Sequence, residues 1–182
     1  MKKILVLAGS PRKEGNSDLI CDQFINGASK AGHETEKIYV SEQRIGYCNA
    51  CYACEKTGEC IQKDDMTDIL VKMIAADIIV LATPVYYYTM SAQLKTLIDR
   101  TLAKYFAKEK ISNKDFYFIA TAAEEKGMMS RAIDALTGFT DCLPNARIKG
   151  VLYGEEVLKK GEVKDKKVMQ EAYDMGKGVG LR

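Results

Sequence analysis

Four of the six cysteines in this 182-residue chain fall within one short segment, residues 47–63. Cys48, Cys51, Cys54 and Cys60 follow the spacing C-x2-C-x2-C-x5-C. Thiolates separated by two residues can turn inward from a tight loop onto one metal centre, and a fourth ligand a few residues later closes the coordination sphere. Bacterial ferredoxin runs hold a 4Fe–4S cluster with nearly this pattern, though with a shorter last gap and a following proline. Structural zinc fits less well, because its sites usually pair two separated C-x2-C knuckles. Free thiols are the third state, and four placed so closely invite disulfide or metal chemistry. Cys21 and Cys142 sit on apolar helical stripes and read as small buried hydrophobes.

Two further stretches carry chemistry. The loop Gly9-Ser10-Pro11-Arg12-Lys13-Glu14-Gly15-Asn16-Ser17 offers hydroxyls at Ser10 and Ser17, an amide at Asn16 and a guanidinium at Arg12. A helix starts directly behind it, so its first N–H groups and its dipole favour an anion such as a phosphate monoester. The loop has neither the Lys-Ser/Thr of a Walker A motif nor a G-x-G-x-x-G run. The second stretch, Pro84-Val85-Tyr86-Tyr87-Tyr88-Thr89-Met90, puts three consecutive tyrosines after an apolar strand. Such residues are sensible walls for a flat ring, although alternation sends at least one of them elsewhere. A small-residue loop, Thr121-Ala122-Ala123-Glu124-Glu125, can border the same ring.

These loops need a scaffold that brings them to one edge. Apolar runs at Lys3–Ala8, Glu34–Val40, Asp77–Thr83, Phe116–Ala123 and Arg147–Tyr153 predict strands, the strongest without alternation and so covered on both faces. Stripes at helical spacing separate them, ending in a closing helix near Lys166–Lys177. Alternating strands and helices predict an α/β fold: a doubly wound five-stranded parallel sheet, order 2-1-3-4-5, in one domain over residues 1–182. Its ligands belong beyond the carboxyl ends of the strands, where strand order reverses. Asn16 or Ser17 is expected to cap the first helix, Ser91 a later one, and Asp64 and Asp65 the helix after the cysteines. His33, the single histidine, reads as a surface residue after a helix end, and Gly176, Gly178 and Gly180 as a fraying terminus.

Composition narrows the classes. With 47% hydrophobic and 29% charged residues the chain is an ordinary globular one, and a formal charge of +2 argues against nucleic acid or a membrane surface as partner. No apolar run approaches the roughly 20 residues that span a bilayer. Clustered cysteines without an export signal point to a reducing cytoplasm.

The GSPRKEGNS loop, the TPVYYYTMSAQLKTLIDR segment and the cysteine stretch together resemble the flavodoxin-fold NAD(P)H-dependent FMN reductases, most of all the iron–sulfur flavoproteins. That resemblance implies FMN, with its phosphate on Ser10, Arg12, Asn16 and Ser17 and its ring beside Pro84, Val85, Tyr86, Tyr87, Ala122 and Ala123. It implies NAD(P)H as hydride donor, a homodimer or larger assembly, and a cluster on Cys48, Cys51, Cys54 and Cys60. Where many relatives have glycines, this chain has Ala122, Ala123 and Glu124. The expected activity is an FMN-dependent oxidoreductase passing electrons from NAD(P)H to a small-molecule or protein acceptor. Flavin chemistry of this kind asks for no protein acid or base, so no catalytic side chain is assigned. One alternative is an electron carrier rather than a reductase. Another is a non-enzymatic module in which the cysteines bind metal or sense oxidants.

Overall fold

In the computed structural model, which describes residues 1–180, five parallel strands form the sheet. They are β1 (Lys3–Ala8), β2 (Glu34–Tyr39), β3 (Ile78–Tyr86), β5 (Asp115–Thr121) and β6 (Arg147–Gly154). A two-residue strand, β4 (Thr89–Met90), folds back antiparallel on the end of β3. The sheet path is β2-β1-β3-β5-β6. Counted among themselves, the parallel strands run in the predicted order, and β4 is an addition the sequence did not announce. The helices are α1 (Asn16–Lys30), α2 (Ala53–Thr57), α3 (Met66–Ala75), α4 (Ala92–Arg100), α5 (Leu102–Phe106), α6 (Ser130–Asp141) and α7 (Val168–Lys177).

Two cores follow from the period of two along each strand. Leu5, Leu7, Ile79, Leu81, Phe116 and Phe118 point to one face and meet Met66, Ile69, Leu94, Leu97 and Leu136 of α3, α4 and α6. Ile4, Val6, Val80 and Ile119 point to the other and meet Ile20, Phe24, Ala28 and Ala172 of α1 and α7. Burial of β1, β3 and β5 on both faces is why their sequences are continuous apolar runs.

Two expectations are corrected by the structure. The terminal glycines are not a fraying end: Gly176 lies inside α7, and Val179 is buried. A Cβ on Gly27 would stand 2.0 Å from the Tyr173 carbonyl oxygen, and one on Gly176 2.0 Å from that of Phe24. The two glycines therefore let α1 and α7 cross backbone to backbone. His33 clasps this end: it accepts from the Lys2 amide at Nδ1 (3.2 Å), leaving Nε2 to donate to the Val179 carbonyl (3.0 Å). Cys142 is exposed, because the buried face of α6 runs through Ala132, Leu136 and Thr140 and the chain has left that stripe two residues later. Cys21, by contrast, is buried as expected, and burial pushes its thiol up, out of the reactive range.

Candidate functional site

At the carboxyl end of the sheet the loops after β1, β3 and β5 converge on a cleft of about 300 Å³. Ser10, Arg12, Asn16 and Ser17 form one wall, Pro84, Val85, Tyr86 and Tyr87 another, and Ala122 and Ala123 a third. Glu124 stands on the same rim. All ten cofactor-binding candidates thus border one hollow, at the strand-order switch between β1 and β3.

Buried hydroxyls lock these loops together. The Ser91 hydroxyl caps α4 at the Leu94 amide (3.3 Å) and also donates to the Gly9 carbonyl (2.7 Å). The Ser91 amide donates to Thr83 Oγ1, and the Gly9 amide donates to the Ala82 carbonyl. Gly9 has no room for a side chain, since a Cβ would come within 2.8 Å of both Ala82 O and Leu94 Cβ. The first loop is braced similarly: the Arg12 amide donates to Ser10 Oγ (3.1 Å) and the Glu14 amide to the buried Asp18 carboxylate (2.7 Å). Burial works against the Lys37 ammonium, but bonds with Asp18, Asp22 and Tyr39 override it and push its pKa up.

Gly15, not Asn16 or Ser17, is the N-cap of α1, and it contributes no side-chain bond. The Asn16 amide serves the cleft differently. Its Nδ2 donates to the Lys159 carbonyl (2.9 Å), and its Oδ1 accepts from the amides of Gly161 (3.0 Å) and Val163 (3.3 Å). It stitches down the segment after β6, which supplies a fourth wall at Val157, Leu158 and Lys160. Sequence reasoning passed over that wall, although any loop following a parallel strand at this edge is a candidate. Lys160 adds a second cation beside Arg12, and its ammonium holds Glu14 below the usual carboxylate range (2.9 Å).

The tyrosine stretch divides its labour. Tyr87 and Tyr88 both adopt positive φ, 48° and 66°, closing the β3–β4 hairpin as a two-residue turn in which Asn-Gly would be at ease. Left-handed backbone costs about 1–2 kcal/mol at each such residue. Tyr87 projects at the rim with 99% of its surface bare. Tyr88 does not line the cleft; its ring lies under the Arg131 guanidinium at 5.5 Å.

The cysteine segment lies elsewhere. Cys48, Cys51, Cys54 and Cys60 line a single hollow of about 20 Å³ against Arg100, Leu102 and Ala103. Ala50 and Tyr52 take positive φ on either side of Cys51, so the chain reverses inside the short gaps between cysteines. Burial pushes the Cys54 thiol up; its own backbone contact opposes this, and the charges of Cys60, Cys51 and Cys48 add to it. As the side chains stand, no three His, Cys, Asp or Glu groups among the described residues are close enough to share one metal ion. Four thiols around one hollow nonetheless match a thiolate-bound centre in kind and number.

The residue that holds this segment was not singled out from the sequence. Arg100, the last residue of α4, is 2% exposed. Its Nη1 donates to the Gly46 carbonyl (2.7 Å), Gln62 Oε1 (3.3 Å) and Asp64 Oδ2 (2.7 Å), and its Nη2 to Asp64 Oδ1 (2.9 Å). Asp64 also accepts from the Gly46 and Met66 amides, so its capping of α3 is secondary to its pairing with Arg100. Asp65 occupies the N-cap position of α3 but makes no side-chain capping bond; its carboxylate accepts from the Arg44 amide (2.7 Å). Burial raises the Asp64 pKa, but the bond from Arg100 and the Gly46 amide outweigh it and hold the carboxyl below its usual range. Arg100 Nε is buried and has no hydrogen-bond partner among the described residues.

A larger cavity of about 560 Å³ opens between α5 and the end of α6, walled by Ile98, Tyr105, Phe106 and Phe139 with Cys48 at its edge. Volume does not make it the mononucleotide site: the helix N-terminus and hydroxyl-bearing loop stand at the smaller cleft. Among the described residues no helix is long and apolar enough to cross a membrane.

Comparison with known proteins agrees with this geometry. Residues 2–149 match the family model described as NADPH-dependent FMN reductase. An iron-sulfur flavoprotein of Archaeoglobus fulgidus is 42% identical over 102 residues, covering 56% of this chain and 46% of that protein. Another, from Methanocaldococcus jannaschii, is 35% identical over 137 residues, 75% of this chain and 70% of the relative. The chain thus matches less than half the length of the first relative. Among solved structures, an FMN-dependent NADH-azoreductase from Bacillus anthracis in complex with FMN superposes with a TM-score of 0.71 at 14% identity, covering 97% of this chain and 96% of that one. At that identity the likeness speaks for the fold alone.

Proposed function

This chain belongs to the NADPH-dependent FMN reductase family, and from that premise we propose that it is an FMN-dependent oxidoreductase that takes hydride from NAD(P)H. One observation carries the reading: a phosphate-suited loop, an aromatic turn and a small-residue loop border one cleft at the strand-order switch. Ser10, Ser17 and the first turn of α1 would hold the FMN phosphate, with Arg12 and Lys160 balancing its charge. Pro84, Val85, Tyr86 and Tyr87 on one side and Ala122 and Ala123 on the other would flank the ring, and Asn16 holds the remaining wall in place. Bound FMN supplies the hydride acceptor; the protein positions it and shields one side from water.

Cys48, Cys51, Cys54 and Cys60 would hold a 4Fe–4S cluster, which supplies one-electron transfer to a small-molecule or protein acceptor. The relatives named iron-sulfur flavoproteins support this part, as does the hollow the four thiols share. The same features favour a second reading, an electron carrier that is not itself a reductase. The bare rings of Tyr47, Tyr52 and Tyr87 suit a homodimer that covers them.

Anaerobic purification followed by flavin and iron analysis tests the proposal. The expected result is one FMN and about four irons per chain, with NAD(P)H bleaching the flavin. Cys51→Ala should lose the iron and keep FMN. Colourless protein that takes up no FMN would end the flavin reading; FMN bound but unreduced by either nicotinamide would select the carrier.

A further inference from the structure

The orphaned Nε–H of Arg100 is the least expected polar group in the molecule. A buried donor without a partner costs about 1–3 kcal/mol, and folded proteins leave few of them. Arginine can grip a carboxylate along its side, using Nε and one Nη, or end-on, using both Nη atoms. Here Asp64 is gripped end-on, and Gly46 and Gln62 are also served from Nη1. Anchoring the segment is therefore accomplished without Nε. Arg100 itself lines the hollow of Cys48, Cys51, Cys54 and Cys60.

We propose that Arg100 is the positioning residue of the cysteine centre, its Nε–H kept for a sulfur of that centre and thereby setting the potential of a cluster bound there. The proposal rests on the cluster reading given above. A hydrogen bond to cluster sulfur stabilises negative charge, and the reduced cluster carries one more electron than the oxidised one. The bond thus favours reduction, and hydrogen bonding to sulfur is one of the levers that set these potentials. The fixed positive charge of the guanidinium acts in the same direction, but a lysine would supply that as well.

Arg100→Lys separates the two effects in the reconstituted holoprotein. It keeps the charge and removes the Nε–H, together with the paired Nη bonds to Asp64. FMN affinity should stay at its wild-type value, and the cluster that the variant retains should have a midpoint potential lower by about 59 mV, a tenfold change in a one-electron equilibrium. An unchanged potential at full iron content would overturn the assignment of Arg100 and leave the cluster reading intact. Wild-type protein that binds FMN but takes up no iron would overturn both. A lysine variant that loses its iron is replaced by wild-type protein carrying arginine labelled with nitrogen-15 in the guanidinium. Pulsed electron paramagnetic resonance of the reduced cluster should then show coupling to that nitrogen, and its absence would overturn the proposal.

Discussion

At the mouth of the β1–β3 switch, two loops are fixed by bonds that strand ends and helix starts supply: Gly9 to Ala82, Ser91 to Gly9, and Thr83 to the Ser91 amide. The cysteine segment has no such scaffold. Its one helix is five residues long, its cysteines are exposed or half-buried, and the buried side chain of Arg100 ties Gly46, Gln62 and Asp64 to the body. A site made from a sheet edge inherits the rigidity of the sheet. A site on an inserted loop depends on whichever charge pair fastens it.

The strongest way to break that contrast is Arg100→Ala. Removing one partner of a buried pair costs about 3–5 kcal/mol. The loss should appear as fast amide exchange across residues 43–65, while FMN affinity changes less than about twofold. Exchange spreading into β1 and β3 would show that the two regions are not independent. Gly9→Ala is the converse. Overpacking against Ala82 and Leu94 costs about 1–3 kcal/mol and displaces the first loop. FMN affinity should fall by tenfold or more in a fluorescence titration, with iron uptake retained.

Asn16→Asp sharpens the comparison within the cleft. The carboxylate keeps the acceptor for Gly161 and Val163, loses the donor to Lys159, and places negative charge where a phosphate would sit. About tenfold weaker FMN binding is expected, equivalent to 1.4 kcal/mol; unchanged affinity would mean that the phosphate lies elsewhere. The smallest effect is acid sensitivity. The Asp64 pKa is lowered from 3.8, so its pairing with Arg100 contributes fully above that value and is lost as pH falls through the lower folded one. Pepsin should then nick residues 43–65 before the body. Equal cleavage of both would argue against a separate anchor.

What the sequence disclosed follows the same division. The central strands were legible because burial on both faces leaves a mark at every position of the run, and the cleft because each wall directly follows a strand. Arg100 was not, since an arginine closing an amphipathic helix looks like any exposed residue until the segment from Gly46 to Asp64 folds over it. The wall at Val157–Lys160 escaped for want of motif residues, and Cys142 was misread because one turn decides whether a helical stripe continues inward. The terminal glycines were read by composition, when what mattered was the helix they face.

That crossing bears on how the protein is made. Phe24 and Gly27 leave the ribosome well before the backbone they nestle against, at Tyr173 and Gly176. Until then one side of the sheet carries only half its cover, and its apolar rows stay open to the solvent or to a chaperone. Synthesis must reach α7 before this half of the core can close.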